Sequence, residues 1–242
     1  MDMLEGLHGL DNKKAFLALG MFDGVHIGHA HILRTCVERA HKFGSCAVVY
    51  TYKNPPHPQK LISGGLITPS DQKLALCKQI GISAAIVNTF TPAYAAMSCE
   101  EYVKELCKND RTSALFCGYN YRFGAGGAGD SNRLKQLCEK YGVEVVSIDP
   151  VVYNGVPVSS TQIRAALLKG DCEHANKLLG HPFSVHTQFC AGKADWPEQA
   201  KLKPGVYECR IGEKMMMAEV NDREITCKNL HGEHKIDFLR IL

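Results

Sequence analysis

The sequence predicts an α/β protein in which a doubly wound parallel sheet is followed by a small C-terminal β unit. Short apolar runs alternate with amphipathic helical segments over the first three quarters of the chain, and the pattern changes to strand-like pieces after Gly180. Repeated strand–helix order favours a parallel sheet with helices on both faces. The 242 residues suffice for one large domain, residues 1–184, and a small β domain, residues 185–242.

Five short apolar runs have the composition of buried strands. These predicted strands are Ala15–Leu19, Cys46–Tyr52, Ala84–Val87, Ser113–Cys117 and Val143–Ile148.

Helices are predicted between these strands from their end signals. Gly44 ends the first helix, and Thr68, followed by a proline, caps the second. Ser98 and Glu101 form a capping box at the start of the third, and Asp130 caps the fourth.

The last part of the chain predicts two short helices and then strands. The helices are about Thr161–Leu168 and Cys172–Leu179, with a glycine after each as a stop signal. The strand-like pieces are Phe183–Phe189, Gly205–Ile211, Met215–Val220 and Lys235–Ile241.

Composition narrows the function classes. The net charge of +3 is mild, so it suits a small anionic ligand and does not indicate nucleic-acid binding. The 11 cysteines include no C-x-x-C pair, and we expect small buried thiols in a reducing cytosol. Neither a signal-peptide pattern nor a membrane-length apolar run occurs, which predicts a cytoplasmic protein without a membrane segment. The oligomeric state is left open.

The first predicted strand runs into GMFDGVHIGH, residues 20–29, and a helix is expected directly afterwards. Glycines let the backbone approach a ligand closely, and a helix N-terminus attracts phosphate. His26 and His29 are spaced to contact one phosphate chain, although two unrelated surface histidines are the alternative. The classical P-loop and dinucleotide fingerprints are absent.

Two later segments add candidate ligands. VSSTQIR, residues 158–164, places hydroxyls before a helix that carries Arg164, whose guanidinium can bind phosphate bidentately. Ser159 or Ser160 is alternatively a simple N-cap. GYNYRFGAGGAGD, residues 118–130, follows the fourth strand with aromatics for a planar ring and Arg122 for a phosphate. A plain linker is the alternative for this loop.

Together these motifs resemble the adenylyltransferase module of the bacterial FAD synthetases, the bifunctional riboflavin kinase/FMN adenylyltransferases. That module belongs to the nucleotidylyltransferase superfamily, with a Rossmann-like fold and an H-x-G-H motif. The resemblance covers about residues 14–184. Besides the three segments above, the matching pieces are VVYTYKNPPHP, LITPSDQKLALCKQIGI and MSCEEYVKEL.

The resemblance implies an enzyme that makes FAD and pyrophosphate from FMN and ATP, with Mg²⁺ accompanying ATP. It implies catalytic roles for His26, His29 and Arg164. The implied ATP-binding residues are Gly20, Phe22, Asp23, Gly24, Gly28, Ser159, Ser160 and Thr161. The implied FMN-binding residues are Tyr52, Pro56, His57, Asn120, Arg122 and Phe123. No residue is assigned to the metal.

Two departures from the family pattern change what we expect. The family's compact T-F-x-P-H-P turn reads TYKNPPHP here, so the flavin side of the site is expected to differ. The family's C-terminal kinase barrel is longer and carries a G-F-P-T-A-N motif, which this sequence lacks, although LKPGVYECRI and HKIDFLRIL resemble other barrel strands. We therefore expect a shortened barrel without riboflavin kinase activity.

The implied chemistry needs no general base, because a phosphate nucleophile is already ionised at neutral pH. Alignment and charge stabilisation would then supply the catalysis. Two other functions stay open from the sequence. One is a nucleotidylyltransferase for another phosphorylated acceptor, and the other is a non-catalytic flavin-binding regulator.

Overall fold

The computed structural model describes residues 1–5, 14–55, 65–108 and 110–242. The chain forms two compact units. The first comprises the described residues of Met1–Phe22, Gly28–Pro58 and Ser70–Val151, and the second those of Asp23–Ile27, Gln59–Pro69 and Val152–Leu242. The two units have other boundaries than the two predicted domains. The domain boundary between residues 184 and 185 stays a prediction.

A six-stranded parallel sheet organises the first unit. Its strands are β1 (Asp2–Leu4), β2 (Ala15–Leu19), β3 (Cys46–Tyr52), β4 (Ala84–Asn88), β5 (Thr112–Gly118) and β6 (Glu144–Ile148), in the order β1-β4-β3-β2-β5-β6. Every residue of β2 is buried, as expected for a central strand covered on both faces. The strand order reverses between β2 and β5, and open α/β sheets bind ligands at such a switch point. The predicted α/β class is therefore confirmed.

Helices alternate with these strands. They are α1 (Ile27–Lys42), α2 (Ser70–Ile80), α3 (Pro92–Ala95), α4 (Cys99–Cys107) and α5 (Ser131–Glu139). The predicted capping box is present, since Ser98 Oγ accepts from the Glu101 N–H at 3.1 Å and Glu101 Oε2 accepts from the Ser98 N–H at 2.8 Å. Asp130 caps α5 through the Arg133 N–H, as predicted. The sequence pattern missed β1 and α3, which have three and four residues.

The second unit begins with a short hairpin and two helices. The hairpin strands are β7 (Val152–Tyr153) and β8 (Val156–Pro157), and the helices are α6 (Ser160–Lys169) and α7 (Cys172–Leu179). Gly170 and Gly180 follow these helices in the left-handed region, with φ of 83° and 78°, which confirms them as the predicted stops.

The rest of the second unit is an antiparallel sheet. Its strands are β9 (Phe183–Phe189), β10 (Lys193–Asp195), β11 (Gly205–Ile211), β12 (Lys214–Val220), β13 (Glu224–Thr226) and β14 (Gly232–Ile241), in the order β10-β13-β12-β11-β14-β9. Thr187 Oγ1 of β9 donates to the Asp195 carbonyl of β10 at 3.0 Å, so the two edges approach each other as in a nearly closed barrel. Its core includes the chain's one tryptophan, Trp196.

Two expectations from composition can be compared with the structure. Eight cysteines are buried and the described ones form no disulfide, which agrees with the predicted role as small apolar side chains. Over the described ranges, none of the helices combines the length and apolar character needed to cross a bilayer.

Candidate active site

The loop after β2 has an unusual backbone. Phe22 and Val25 have positive φ values of 51° and 40°, and Gly24 lies between them at 86°. Positive φ is uncommon for any residue with a side chain and a clear outlier for β-branched valine. Such strain is concentrated at functional sites, so the loop itself indicates a site where the motif predicted one.

A cavity of about 560 Å³ lies within the first unit at the carboxyl ends of β2, β3 and β5. This volume is typical of a site for a cofactor-sized molecule. Seven of the predicted site residues line it, namely Gly20, Phe22, His29, Tyr52, Asn120, Arg122 and Phe123. The structure therefore brings together residues from the first motif and from the glycine-rich loop.

Much of the cavity wall is aromatic, and the sequence analysis did not identify three of its rings, those of Phe90, Tyr94 and Tyr102. Tyr94 Oη lies 3.0 Å from Tyr50 Oη and 3.2 Å from Tyr52 Oη. On the neighbouring wall the hydroxyls of Tyr102 and Tyr121 are 2.7 Å apart. Burial raises the pKa of Tyr50 to about 12, so its phenol stays neutral at physiological pH. The tyrosines at 50 and 52 could have indicated one edge of this cluster from the sequence, because residues two apart on a strand share a face.

The glycine-rich loop is ordered by specific contacts. The Phe123 N–H donates to the Gly129 carbonyl at 3.1 Å, and the Gly129 N–H donates back at 2.9 Å. A Cβ on Gly129 would lie 2.5 Å from the Phe123 ring, and one on Gly124 would lie 2.6 Å from Cys99 Sγ. These close contacts favour an ordered loop that forms part of the cavity wall. They argue against a plain linker, the alternative that the sequence left open.

Within the second unit, Asp23 organises a compact polar cluster. Arg164 Nη2 donates to Asp23 Oδ2, and the Thr68 N–H donates to Oδ1 at 3.1 Å. The Ser160 hydroxyl donates to the Asp23 carbonyl at 2.9 Å. Three predicted site residues, Asp23, Ser160 and Arg164, are thus brought together. Within the described part of the chain, Arg164 Nε has no hydrogen-bond partner.

Two buried residues of the first motif that belong to the second unit have shifted pKa values. Burial lowers the pKa of His26 from 6.5 to about 4, so its imidazole is neutral at pH 7 and donates through one ring N–H. Burial also raises the pKa of Asp23 above its ordinary value, while the Arg164 charge and the Thr68 N–H oppose that rise.

The remaining predicted residues have more varied positions. Ser159 is the N-cap of α6, where its hydroxyl accepts from the Gln162 N–H, so the simple capping role is realised. Thr161 is exposed, and Gly28 lies in the first turn of α1. Pro56 and His57 lie outside the described residues.

The convergence of His26, His29 and Arg164 on one triphosphate stays a prediction. His29 belongs to the first unit, where its ring lies edge-on to Phe22 at 5.3 Å, and the other two belong to the second. Across the described ranges, no group of three or more His, Cys, Asp or Glu side chains is arranged to hold a metal ion.

Comparison with known proteins gives consistent matches. The FAD synthetase family model matches residues 9–162. An FAD synthetase of Listeria monocytogenes serovar 1/2a is 33% identical over 180 residues, which cover 72% of this chain and 72% of the relative. A bifunctional riboflavin kinase/FMN adenylyltransferase of Escherichia coli K12 is 28% identical over 244 residues, covering 91% of this chain and 77% of the relative.

A solved structure extends the comparison to the fold. The crystal structure described as a macrolide-efflux protein from Streptococcus pneumoniae matches with a TM-score of 0.81 at 21% identity, covering 99% of this chain and 90% of that chain. At this identity the likeness bears on the fold alone.

Proposed function

This chain belongs to the FAD synthetase family of enzymes, and we propose that it is an FMN adenylyltransferase that makes FAD from FMN and ATP. In the reaction an FMN phosphate oxygen bonds to the α-phosphorus of ATP. The bond from that phosphorus to the oxygen leading to the β-phosphate breaks, and pyrophosphate leaves with that oxygen. The observation that carries the proposal is the aromatic cavity, which joins the His29 segment to the glycine-rich loop within one unit.

The cavity suits the flavin. Its tyrosine and phenylalanine rings offer surfaces for a planar ring system, and Tyr121 and Phe123 are stacked with centroids 6.1 Å apart. Arg122 and Asn120 add a cation and an amide at the same wall. We assign the isoalloxazine to the aromatic side and the FMN phosphate to the side of Arg122.

ATP is assigned to the motif histidines and Arg164. His29 lies in the first turn of α1, where backbone N–H groups favour anions. A neutral His26 supplies a hydrogen-bond donor without a second charge. The guanidinium of Arg164 has five N–H donors and one of its nitrogens, Nη2, bonds to Asp23, so we assign the remaining donors to phosphate oxygens.

Mg²⁺ is proposed to arrive with ATP, and it would neutralise charge on the phosphate oxygens. In ATP-using enzymes this ion is held mainly by phosphates and water, with one or two carboxylates. The three motif segments hold two carboxylates, and both have partners: Asp23 is bonded to Arg164, and Asp130 caps α5. We therefore derive no step from a protein-bound metal.

We further propose that the chain lacks riboflavin kinase activity. The support is the absence of the G-F-P-T-A-N motif from the β-rich segment after Gly180. Incubation with ATP and either riboflavin or FMN, followed by chromatography, tests this directly. FAD is expected from FMN and neither FMN nor FAD from riboflavin, whereas phosphorylation of riboflavin would contradict the proposal.

The same protein preparation separates the alternative functions. We expect FMN fluorescence to be quenched on binding, and pyrophosphate to be released when ATP is added. Quenching without pyrophosphate would indicate a flavin-binding regulator. Failure to bind FMN, with ATP turnover on another phosphorylated compound, would indicate a different acceptor.

A further inference from the structure

A buried lysine joins the ends of two strands beside the cavity. Lys73 lies on α2 and is 0% exposed. Its Nζ donates to the Met21 carbonyl at 3.1 Å, to Thr51 Oγ1 at 3.1 Å and to the Tyr52 carbonyl at 2.7 Å. Met21 follows β2 and the other two residues end β3, so a single ammonium group ties both strand ends together. All four residues belong to the first unit.

The Met21 carbonyl is held from a second direction as well. Thr51 Oγ1 donates to it at 3.1 Å while accepting from Lys73. The peptide is planar and trans, so fixing the carbonyl of Met21 also fixes the N–H of Phe22, which points to the opposite side. Phe22 is the first residue of the loop with positive φ. Lys73 therefore restrains the peptide from which the strained motif loop starts.

Burial of an ammonium group costs free energy, and hydrogen bonds must offset that cost. An apolar side chain would fill the same space without this cost, but it would remove the ammonium donor from the Tyr52 carbonyl and leave the Met21 carbonyl with Thr51 Oγ1 alone. Met21, Phe22 and Tyr52 all line the cavity. The Lys73 ammonium group and its three hydrogen bonds therefore stabilise the part of the sheet edge where the substrates are proposed to bind.

We infer that Lys73 is a positioning residue for adenylyl transfer, which fixes the Met21–Phe22 peptide and the end of β3 without touching substrate. The inference rests on the proposed function. Misplacement of a loop by about 1 Å can cost on the order of 100-fold in rate, so the main effect is expected on turnover.

The test compares Lys73→Met, Thr51→Val and the control Lys78→Met, an exposed lysine on the same helix. Circular dichroism identifies the temperature range in which each variant is folded. In that range we expect Lys73→Met to lose about 10- to 100-fold in kcat for FAD formation, with the FMN dissociation constant from fluorescence quenching changed less than about threefold. Thr51→Val, which removes one bond to Met21, should lose a smaller factor, and Lys78→Met should match the wild type.

The outcomes separate the two proposals. Wild-type turnover in a folded Lys73→Met variant would overturn the positioning role, and so would equal losses of FMN binding and turnover, which a collapsed cavity would produce. If Lys73→Met does not fold, Thr51→Val decides, and an unchanged kcat in that variant overturns the inference. A wild type that forms no FAD would refute the proposed function and this inference together.

Discussion

The buried imidazole of His26 predicts a pH-dependent stability that can be measured. Burial lowers its pKa from 6.5 to about 4, so between these values the unfolded chain binds a proton that the folded protein does not. Stability then falls as the pH falls through this window, and the contribution is fully present above pH 6.5. At about 1.4 kcal/mol per pKa unit the whole effect is about 3 kcal/mol, of which roughly 1 kcal/mol is lost by pH 5.5 and roughly 2–3 kcal/mol by pH 4.5.

The assay is urea unfolding at several pH values, followed by tryptophan fluorescence. The chain's one tryptophan, Trp196, is 7% exposed and belongs to the second unit, as His26 does, so it reports on the relevant unit. His26→Asn is the control, because asparagine cannot titrate while the carboxylates still do.

The decisive quantity is the difference between the two proteins in free energy of unfolding. From pH 7.5 to 4.5 the wild type should lose roughly 2–3 kcal/mol more than His26→Asn. Parallel pH dependences would show that His26 keeps its ordinary pKa in the folded protein. His26 would then be roughly a quarter protonated at pH 7, and the lowered pKa on which its purely neutral state rests would be wrong.

Three further perturbations test other parts of the site. His29→Ala should keep the circular dichroism spectrum of the wild type. Its kcat should fall roughly 100- to 1000-fold, because a hydrogen-bond donor that stabilises charge in the transition state is removed. Near-normal turnover would exclude His29 from the mechanism. Asp23→Ala should lower the free energy of unfolding in urea by about 3–5 kcal/mol, because Arg164 loses its buried partner; a loss under about 1 kcal/mol would contradict this. Gly129→Ala should weaken FMN binding about tenfold by fluorescence titration, because the new methyl meets the Phe123 ring, and unchanged affinity would speak against a fixed loop.

The sequence predicted the sheet well for a simple physical reason. Buried parallel strands are continuous apolar runs, so Ala15–Leu19 and Cys46–Tyr52 could be recognised without their neighbours. The signals for helix ends were equally local, since the side chains of Ser98 and Glu101 each accept a hydrogen bond from the other residue's backbone N–H within one turn. Strand ends then located the motif loops at one edge of the sheet.

The parts that the sequence missed depend on contacts between distant segments. Tyr94 and Tyr102 lie on separate helices, and nothing local to either indicates that both rings line one cavity. Lys73 is more misleading, because a lysine on an amphipathic helix is normally exposed. Its burial depends on acceptors more than 20 residues away in the chain, at Met21 and Thr51.

The paired phenols bear on how this cavity can change in evolution or by design. Tyr94 shares hydrogen bonds with both Tyr50 and Tyr52. Removing the Tyr94 hydroxyl alone therefore takes a hydrogen-bond partner from two buried phenols, which costs free energy. Single substitutions at any of the three positions are therefore penalised, while a coordinated triple replacement by apolar rings is not. Tyr52 and Tyr94 line the cavity, so a variant selected to accept a bulkier ring system should change these two residues together with Tyr50, which belongs to the same hydrogen-bonded cluster.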